Sequence, residues 1–267
     1  MQIKYTKMHG IGNAYAFVNC TNERLTGINL SLLAKKISDK KNADSDGMIL
    51  ILPSKKADFK MRIFNADGSE AEMCGNGVRC FAKYVYDNKL TSKKNLEIET
   101  LAGIIKTEII GMDSKNSYIV KVDMGIAKTK EMNLEIDGKI YNGAHVSIGN
   151  PHFVLFVDNF DFDYKSLGEK IENHKLFPKR VNAEFVKINN PSEVTMRVWE
   201  RGSGETKACG TGACASVVAS ALSGKTGKSV KVHLLGGDLE IEWNKSNHVY
   251  MTGPAEFMFN RGFNTMN

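Results

Sequence analysis

The chain has 267 residues, 42% hydrophobic and 25% charged, the balance of a globular protein of one large domain or two ordinary ones. Its 36 basic and 30 acidic residues leave a formal charge of +6 with the lysines scattered, which argues against a nucleic-acid-binding face and mildly favours an anionic small molecule. No run of about 18 apolar residues exists, so no membrane span is expected, and five cysteines without a C-x-x-C pair argue against a disulfide framework or a structural metal.

In chain order, Met1 to Lys7 lacks a signal-peptide core, and free thiols then suit a reducing cytoplasm. Ile11-Gly12-Asn13 precedes an apolar run ending at Cys20, and Leu30 to Ile37 is spaced as a helix. Phe59, Met61 and Ile63 alternate with polar residues, as a half-buried strand does. Cys74-Gly75-Asn76-Gly77 then opens a helix, with Val78, Phe81, Ala82 and Val85 at i, i+3, i+4 and i+7. Strands at 95–100 and 104–109 flank a turn around Ala102-Gly103, and a seam is expected near Ser114 to Ser117.

The second half repeats these features. Ile148-Gly149-Asn150 again precedes an apolar run, Tyr164 to Asn173 reads as a helix, and Val194, Met196 and Val198 alternate. Cys209-Gly210-Thr211-Gly212 opens a small-residue helix ending near Gly224, with Ala213, Val217 and Leu222 along one side. Strands at 230–234 and 239–243 flank Gly236-Gly237. The cysteine phrases lie 209 − 74 = 135 residues apart, and at that offset Met61 matches Met196, Arg62 matches Arg197 and Glu70 matches Glu205. This is the trace of an internal duplication. The expected fold is α+β, in two pseudo-symmetric halves, each a curved, mostly antiparallel sheet wrapped around a central helix. Residues 1–116, with 256–267 returning to them, form one half and 117–255 the other, with the active site in the cleft between.

Each cysteine phrase stands at a helix entrance, where unpaired N–H groups and the positive end of the dipole welcome an anion. Such a site lowers a thiol pKa from about 8.5 and stabilises charge developing on a carboxylate when the adjacent carbon loses a proton. A lone buried cysteine is ordinarily a small hydrophobe, and Cys20, Cys80 and Cys214 are read that way. Two at matched positions, each followed by Gly-x-Gly, point to chemistry: one thiol taking a proton from one face of a carbon, the other returning one to the opposite face.

At these residues the chain resembles the diaminopimelate epimerase family, whose members work without a cofactor. The matching stretches are 8–13 (Met-His-Gly-Ile-Gly-Asn), 64–80 around Cys74, 148–152 (Ile-Gly-Asn-Pro-His), 180–182, Trp199-Glu200-Arg201-Gly202, 208–212 around Cys209, and 251–255 (Met-Thr-Gly-Pro-Ala), in order over nearly the whole chain. The resemblance implies a two-base mechanism with Cys74 and Cys209 as thiolate and thiol. It places the reacting carboxylate against Gly75-Asn76 and Gly210-Thr211. His152 and Glu200 would tune the thiols. The distal amino-acid head would be held by Asn65, Asn150, Asn182, Glu200 and Arg201, with Asn13 lining the same pocket. Arg201 offers a planar fork for a carboxylate, and asparagine reads ammonium and carboxylate together. The implied partner is an amino acid with a second amino-acid head, with no nucleic acid and no membrane, and a homodimer is compatible with the family.

Two positions depart from the family pattern. Ala14 follows Asn13 where an acidic residue is usual, and Asn42-Ala43-Asp44-Ser45-Asp46 replaces Gly-x-Gly-Ala-Asp. A thioether analogue such as lanthionine, or another amino acid for a related racemase, therefore stays open as substrate. Two rivals come from other classes. Gly210 to Ala215 fits the dinucleotide pattern G-x-G-x-x-A, but it follows a polar run rather than a buried strand. An amino-acid binding protein on the same scaffold would keep the pocket without the chemistry.

Overall fold

A computed structural model describes residues 2–21, 25–113 and 117–264. Among these the chain is mostly β-structure with four α-helices, an α+β protein. It divides into two compact units, one running to Val122 and resuming at Gly253, the other Asp123–Thr252. Most of the expected seam, 114–116, lies outside the described residues. The division falls inside a strand, whose first half belongs to the ladder of the first unit.

The first unit contains β1 (Gln2–Gly10), β2 (Asn13–Asn19), α1 (Leu30–Ser38), β3 (Gly47–Leu52), β4 (Phe59–Asn65), β5 (Glu70–Ala71), α2 (Gly75–Asp87), β6 (Asn95–Thr100), β7 (Gly103–Met112) and the start of β8 (Tyr118–Ile126). β1 pairs antiparallel with β2, β2 parallel with β3, and β3 antiparallel with β4. β4 alternates as its sequence predicts, burying Phe59, Met61 and Ile63. Helix α2 packs against β1, β2 and β7 and buries Gly75 through Val85.

The second unit contains the end of β8, β9 (Lys128–Ile136), β10 (Lys139–Ser147), β11 (Pro151–Phe156), α3 (Tyr164–Glu172), β12 (Asn182–Asn190), β13 (Glu193–Glu200), β14 (Gly204–Glu205), α4 (Gly210–Leu222), β15 (Ser229–Leu234), β16 (Gly237–Trp243) and the start of β17 (His248–Asn264). β10 pairs antiparallel with β11, β11 parallel with β12, and β12 antiparallel with β13. Helix α4 packs against β10, β11, β12, β13, β15 and β16. Its glycine, alanine and serine positions let it be buried on nearly every side from Gly210 to Ser220. Leu222 departs from the expected buried stripe: it is 55% exposed, because it ends the helix two residues beyond Ser220, the last buried position.

The strand registers of the two units correspond. Tyr15 pairs with Gly47 as His152 pairs with Asn182, and Ile49 pairs with Ile63 as Glu184 pairs with Val198. The hairpin positions match too: Thr100 faces Gly103 across a two-residue loop, and Leu234 faces Gly237. Both of those glycines have positive φ, +114° and +143°, where a side chain would be strained.

The last strand serves both ladders. His248–Thr252 belong to the second unit, where β17 pairs with β16, and from Glu256 to Asn264 it pairs with β1 of the first. The fully buried Arg79 of α2 fixes this return, donating from Nε to the Pro254 carbonyl (3.2 Å) and from Nη1 to the Gly75 carbonyl (3.4 Å).

Candidate active site

Cys74 and Cys209 are the N-cap residues of α2 and α4, both helices of 13 residues. Each backbone is extended at the cap, and each sulfur accepts the third N–H of its helix: Gly77 N–H to Cys74 Sγ at 3.4 Å, Gly212 N–H to Cys209 Sγ at 3.3 Å. This is an N-cap built with sulfur in place of oxygen. The neighbouring N–H groups of Gly75-Asn76 and Gly210-Thr211 occupy the first turns, where no intrahelical acceptor exists.

In the first unit, Asn13 and Tyr15 are two apart on β2 and so share a face. The Tyr15 hydroxyl donates to Cys74 Sγ (3.4 Å), and the Cys74 thiol reaches Asn13 Oδ1 (3.4 Å). Asn76 Nδ2 also donates to Asn13 Oδ1 at 3.4 Å. Asn65 lies opposite Gly47 at the end of β4 and donates to Ser69 Oγ (3.0 Å). The altered loop has a use here. Asp46 Oδ2 accepts from Asn13 Nδ2 (2.8 Å) and from the Ala14 amide (2.7 Å), so a carboxylate stands beside Ala14 although that residue is not acidic. Asp44, where the family pattern has glycine, has φ +47°, a conformation aspartate tolerates better than most side chains.

In the second unit, His152, Asn182 and Glu184 lie on one face of the β11–β12 pair, and Glu200 lies on the same face of β13 by its spacing from Val198. His152 is completely buried, with Nδ1 2.6 Å from Glu184 Oε1 and Nε2 2.8 Å from Asn150 Oδ1. Ligand atoms of His152, Glu184 and Cys209 all lie within 4.8 Å of one another. The His152–Glu184 distance is that of a hydrogen bond and is shorter than the roughly 3.3 Å between two ligands of a tetrahedral zinc ion. Thr206 donates its hydroxyl to Glu200 Oε1.

These surroundings reverse the expectation for one thiol. Burial pushes the Cys209 pKa well above the ordinary thiol value, and the carboxyl groups of Glu200 and Glu184 push it further up. The Thr211 hydroxyl and the Gly212 N–H pull it down, but by less. The helix end is present as expected; desolvation outweighs it. Burial likewise raises Glu200, against the Thr206 hydrogen bond, His152 and the Cys209 thiol, which lower it. Burial raises Glu184 against its bond to His152.

Side chains of the distal set also hydrogen-bond within the protein. Asn182 is 3% exposed, and its amide holds the protein itself: Nδ2 donates to the Pro151 carbonyl (3.0 Å) and Oδ1 accepts the Arg201 amide (2.8 Å). It therefore positions Arg201 and the start of β11. Arg201 is exposed, with one guanidinium N–H on the Lys179 carbonyl (3.2 Å). Glu172 at the end of α3, absent from the sequence reading, secures this turn by accepting from Trp199 Nε1 (2.8 Å), the Gly202 amide (2.8 Å) and Arg180 Nη1 (3.0 Å). Glu184, Tyr15 and Asp46 were missed as well. Glu184 had a signal, a lone carboxylate in the apolar strand run Ala183 to Val186. Asp46 had one in its place as the aspartate that closes the altered loop, and Tyr15 had none short of the fold.

A sequence profile of the family described as diaminopimelate epimerase matches residues 5–130 and 144–258. The chain belongs to the diaminopimelate epimerase family. It is 52% identical to a diaminopimelate epimerase of Acetivibrio thermocellus over 96% of this chain and 97% of that protein. It is 49% identical to one of Methanococcus maripaludis strain C6, over 96% and 98%. Among solved structures, a PhzF-family phenazine biosynthesis protein of Bacillus anthracis superposes with a TM-score of 0.78 at 17% identity, covering 99% of both chains. A hydroxyproline epimerase of Agrobacterium vitis gives 0.75 at 14% identity, over 100% of this chain and 93% of that one. At such identities the structures share the fold alone. For this family member, the matched stretches include every candidate site residue named above, and each of these lies in a described part of one unit or the other.

Proposed function

We propose that the chain is a pyridoxal-phosphate-independent epimerase that interconverts LL- and meso-diaminopimelate in the biosynthesis of lysine and cell-wall precursors. The observation that carries this reading is the pair of matched helix N-cap cysteines in a chain about half identical, end to end, to diaminopimelate epimerases. A thiolate takes the α-proton, the electron pair moves into the carboxylate as an enediolate, and a thiol on the opposite face returns a proton to the carbon. The first sulfur ends as thiol and the second as thiolate. Helix N–H groups at Gly75-Asn76 and Gly210-Thr211 stabilise the growing negative charge of the carboxylate, preorganised and in place before the reaction. The raised Cys209 pKa suits the donor, and Cys74 is then the starting base.

The matching strand registers support the reading of the chain as a duplicated fold of two pseudo-symmetric halves, each a sheet around a central helix. Five free thiols suit a reducing cytoplasm, and a homodimer fits the same reading. No described helix is long and apolar enough to cross a membrane. In this reading Arg201, exposed next to Glu200, takes a distal carboxylate, and Asn65 and Asn150 belong to the same proposed substrate-binding set.

The test is a stereochemical panel in heavy water. Diaminopimelate isomers are expected to epimerise with uptake of deuterium at the α-carbon; lanthionine is expected to react more slowly, and histidine and glutamate not at all. Arg201→Ala should lower kcat/KM for diaminopimelate by a factor of about 100 or more. Binding without α-proton exchange would make the protein a binder, and turnover of single-headed amino acids would make it a racemase of another substrate.

A further inference from the structure

The two thiols have different backing, and the difference is written at the duplication offset. Glu184 lies 184 − 49 = 135 residues after Ile49, the separation of the two cysteines. Ile49 and Glu184 also occupy equivalent registers, opposite Ile63 and Val198. Both reach the helix that carries the cysteine. A Cβ placed on Gly77 would lie 2.7 Å from Ile49 Cδ1, and one placed on Gly212 would lie 2.8 Å from Glu184 Oε1 and 3.2 Å from Cys209 Sγ. Equivalent strand positions thus put a methyl group behind one cysteine and a carboxylate behind the other. Asn65 is likewise the counterpart of Glu200 at the same offset, and Tyr15 is the register counterpart of His152.

We propose that Glu184 is a positioning residue of the reaction, which through its contact with His152 and its approach to Cys209 makes Cys209 the resting proton donor of the pair. The inference rests on the two-thiol reading above and adds a residue to it. A completely buried carboxylate is costly unless it is held, and Glu184 has only one hydrogen-bonded oxygen: Oε1 meets His152, while Oε2 has no hydrogen-bond partner. An apolar residue of similar size, as at Ile49, would pack there without that cost. The carboxylate does what an apolar residue cannot. It fixes the imidazole between itself and Asn150, and it opposes a second negative charge on the sulfur next to it.

The groups around Cys209 are few. His152 comes from β11, Glu184 from β12 and Glu200 from β13, while α4 contributes the Gly212 N–H and the Thr211 hydroxyl. From β10 comes His145, whose own pKa is lowered first by burial and then by its neighbour His152. The buried residues of β15 and β16 include Val230, Val232, Leu239 and Ile241, all apolar. Two carboxyl groups therefore stand against the thiolate. Glu200 bonds Thr206 and keeps a small exposed part, while Glu184 is fully enclosed.

The experiment is a thiolate titration by ultraviolet absorbance. The difference between Cys74→Ala and Cys74→Ala/Cys209→Ala proteins reports Cys209, first with Glu184 present and then with Glu184→Gln or Glu184→Asp. Cys209 should titrate above the free-cysteine range near 8.5 in the parent. Glu184→Gln should move it down by about one pH unit, a tenfold change in thiolate, and Glu184→Asp by much less. With Cys74 restored, the alkaline limb of kcat/KM should move to lower pH by the same amount in Glu184→Gln, with KM changed less than about threefold. An unchanged Cys209 titration in Glu184→Gln, or equal shifts in both variants, overturns the proposal. If Glu184→Gln does not fold, the parent decides: a Cys209 titration at or below the free-cysteine range overturns it. None of the titrations needs diaminopimelate, so a wrong substrate would show in the panel and not here.

Discussion

Cys80 shows what burial does to a thiol inside a helix rather than at its cap. It lies in α2, 1% exposed, six residues beyond Cys74. Desolvation pushes its pKa up to about 12, with Arg79 pulling the other way. The folded state therefore keeps this proton where the unfolded chain, with a thiol near the ordinary value, releases it. Below about pH 8.5 the group is protonated in both states and stability does not depend on it. As pH rises from there towards 12 the unfolded state binds fewer protons, and stability falls by up to about 1.4 kcal/mol per pH unit. Urea unfolding between pH 8 and 11 should show this decline, and Cys80→Ala, whatever its stability at pH 7, should show a shallower one. Equal slopes in the two proteins would mean that Cys80 ionises as readily folded as unfolded. Cys209, raised by burial and by two carboxyl groups, shares the desolvation of Cys80 but adds neighbours that chemistry can use.

At the level of the element, the cysteine phrases combine a cap with a reactive group. Sγ accepts the N–H of Gly77 or Gly212, a role usually filled by serine, threonine, aspartate or asparagine. Alanine at either position removes the acceptor as well as the thiol. Cys74→Ala and Cys209→Ala should each abolish epimerisation and also cost about 1 kcal/mol of stability, while the serine variants should lose the activity but keep most of the cap. Thermal unfolding separates the two effects, and substantial turnover in any of the four variants would remove that cysteine from the reaction. The loops before the apolar strands show a similar economy. Gly12 and Gly149, the glycines of the echoed Ile-Gly-Asn phrase, share a left-handed conformation at φ +86° and +88°. That conformation favours a residue without Cβ, and it leads into Asn13 at the start of β2, which carries Tyr15, and into Asn150 just before β11, which carries His152. Ile11 also has positive φ, +48°, which is unusual for a β-branched residue and is accompanied by nearly complete burial.

For the whole molecule the chain path matters more than any one contact. The first unit is not continuous in sequence: its β1 has residues 256–264 as a partner on one edge and β2 on the other. Removal of residues 253–267 would strip β1 of that ladder, expose Tyr5 and Phe259's partner surface, remove buried Ala255 and Phe263, and take the Pro254 carbonyl from the buried Arg79 guanidinium. Such a truncation is expected to lose cooperative unfolding of the first unit. Hydrogen exchange should find β1 and α2 unprotected, and retained protection there would show that the returning strand is dispensable. Both ends of the chain are thus committed to one unit while the second is inserted within it.

The sequence by itself determined the two cysteine phrases, the helices they open, the alternating strands around them and the family, because each is local chemistry repeated along the chain: a cap, a glycine, an apolar period of 2 or 3.6. It also carried the 135-residue offset, though only the strand registers gave Glu184 and Ile49 their meaning. What stands behind Cys209 was decided by tertiary structure. His152, Glu184 and Glu200 come from three strands and meet only when those strands pair over α4. The helix-end argument pointed to a lowered thiol pKa, and the packed site gave a raised one for Cys209, because desolvation and nearby carboxyl groups depend on neighbours that no local pattern supplies.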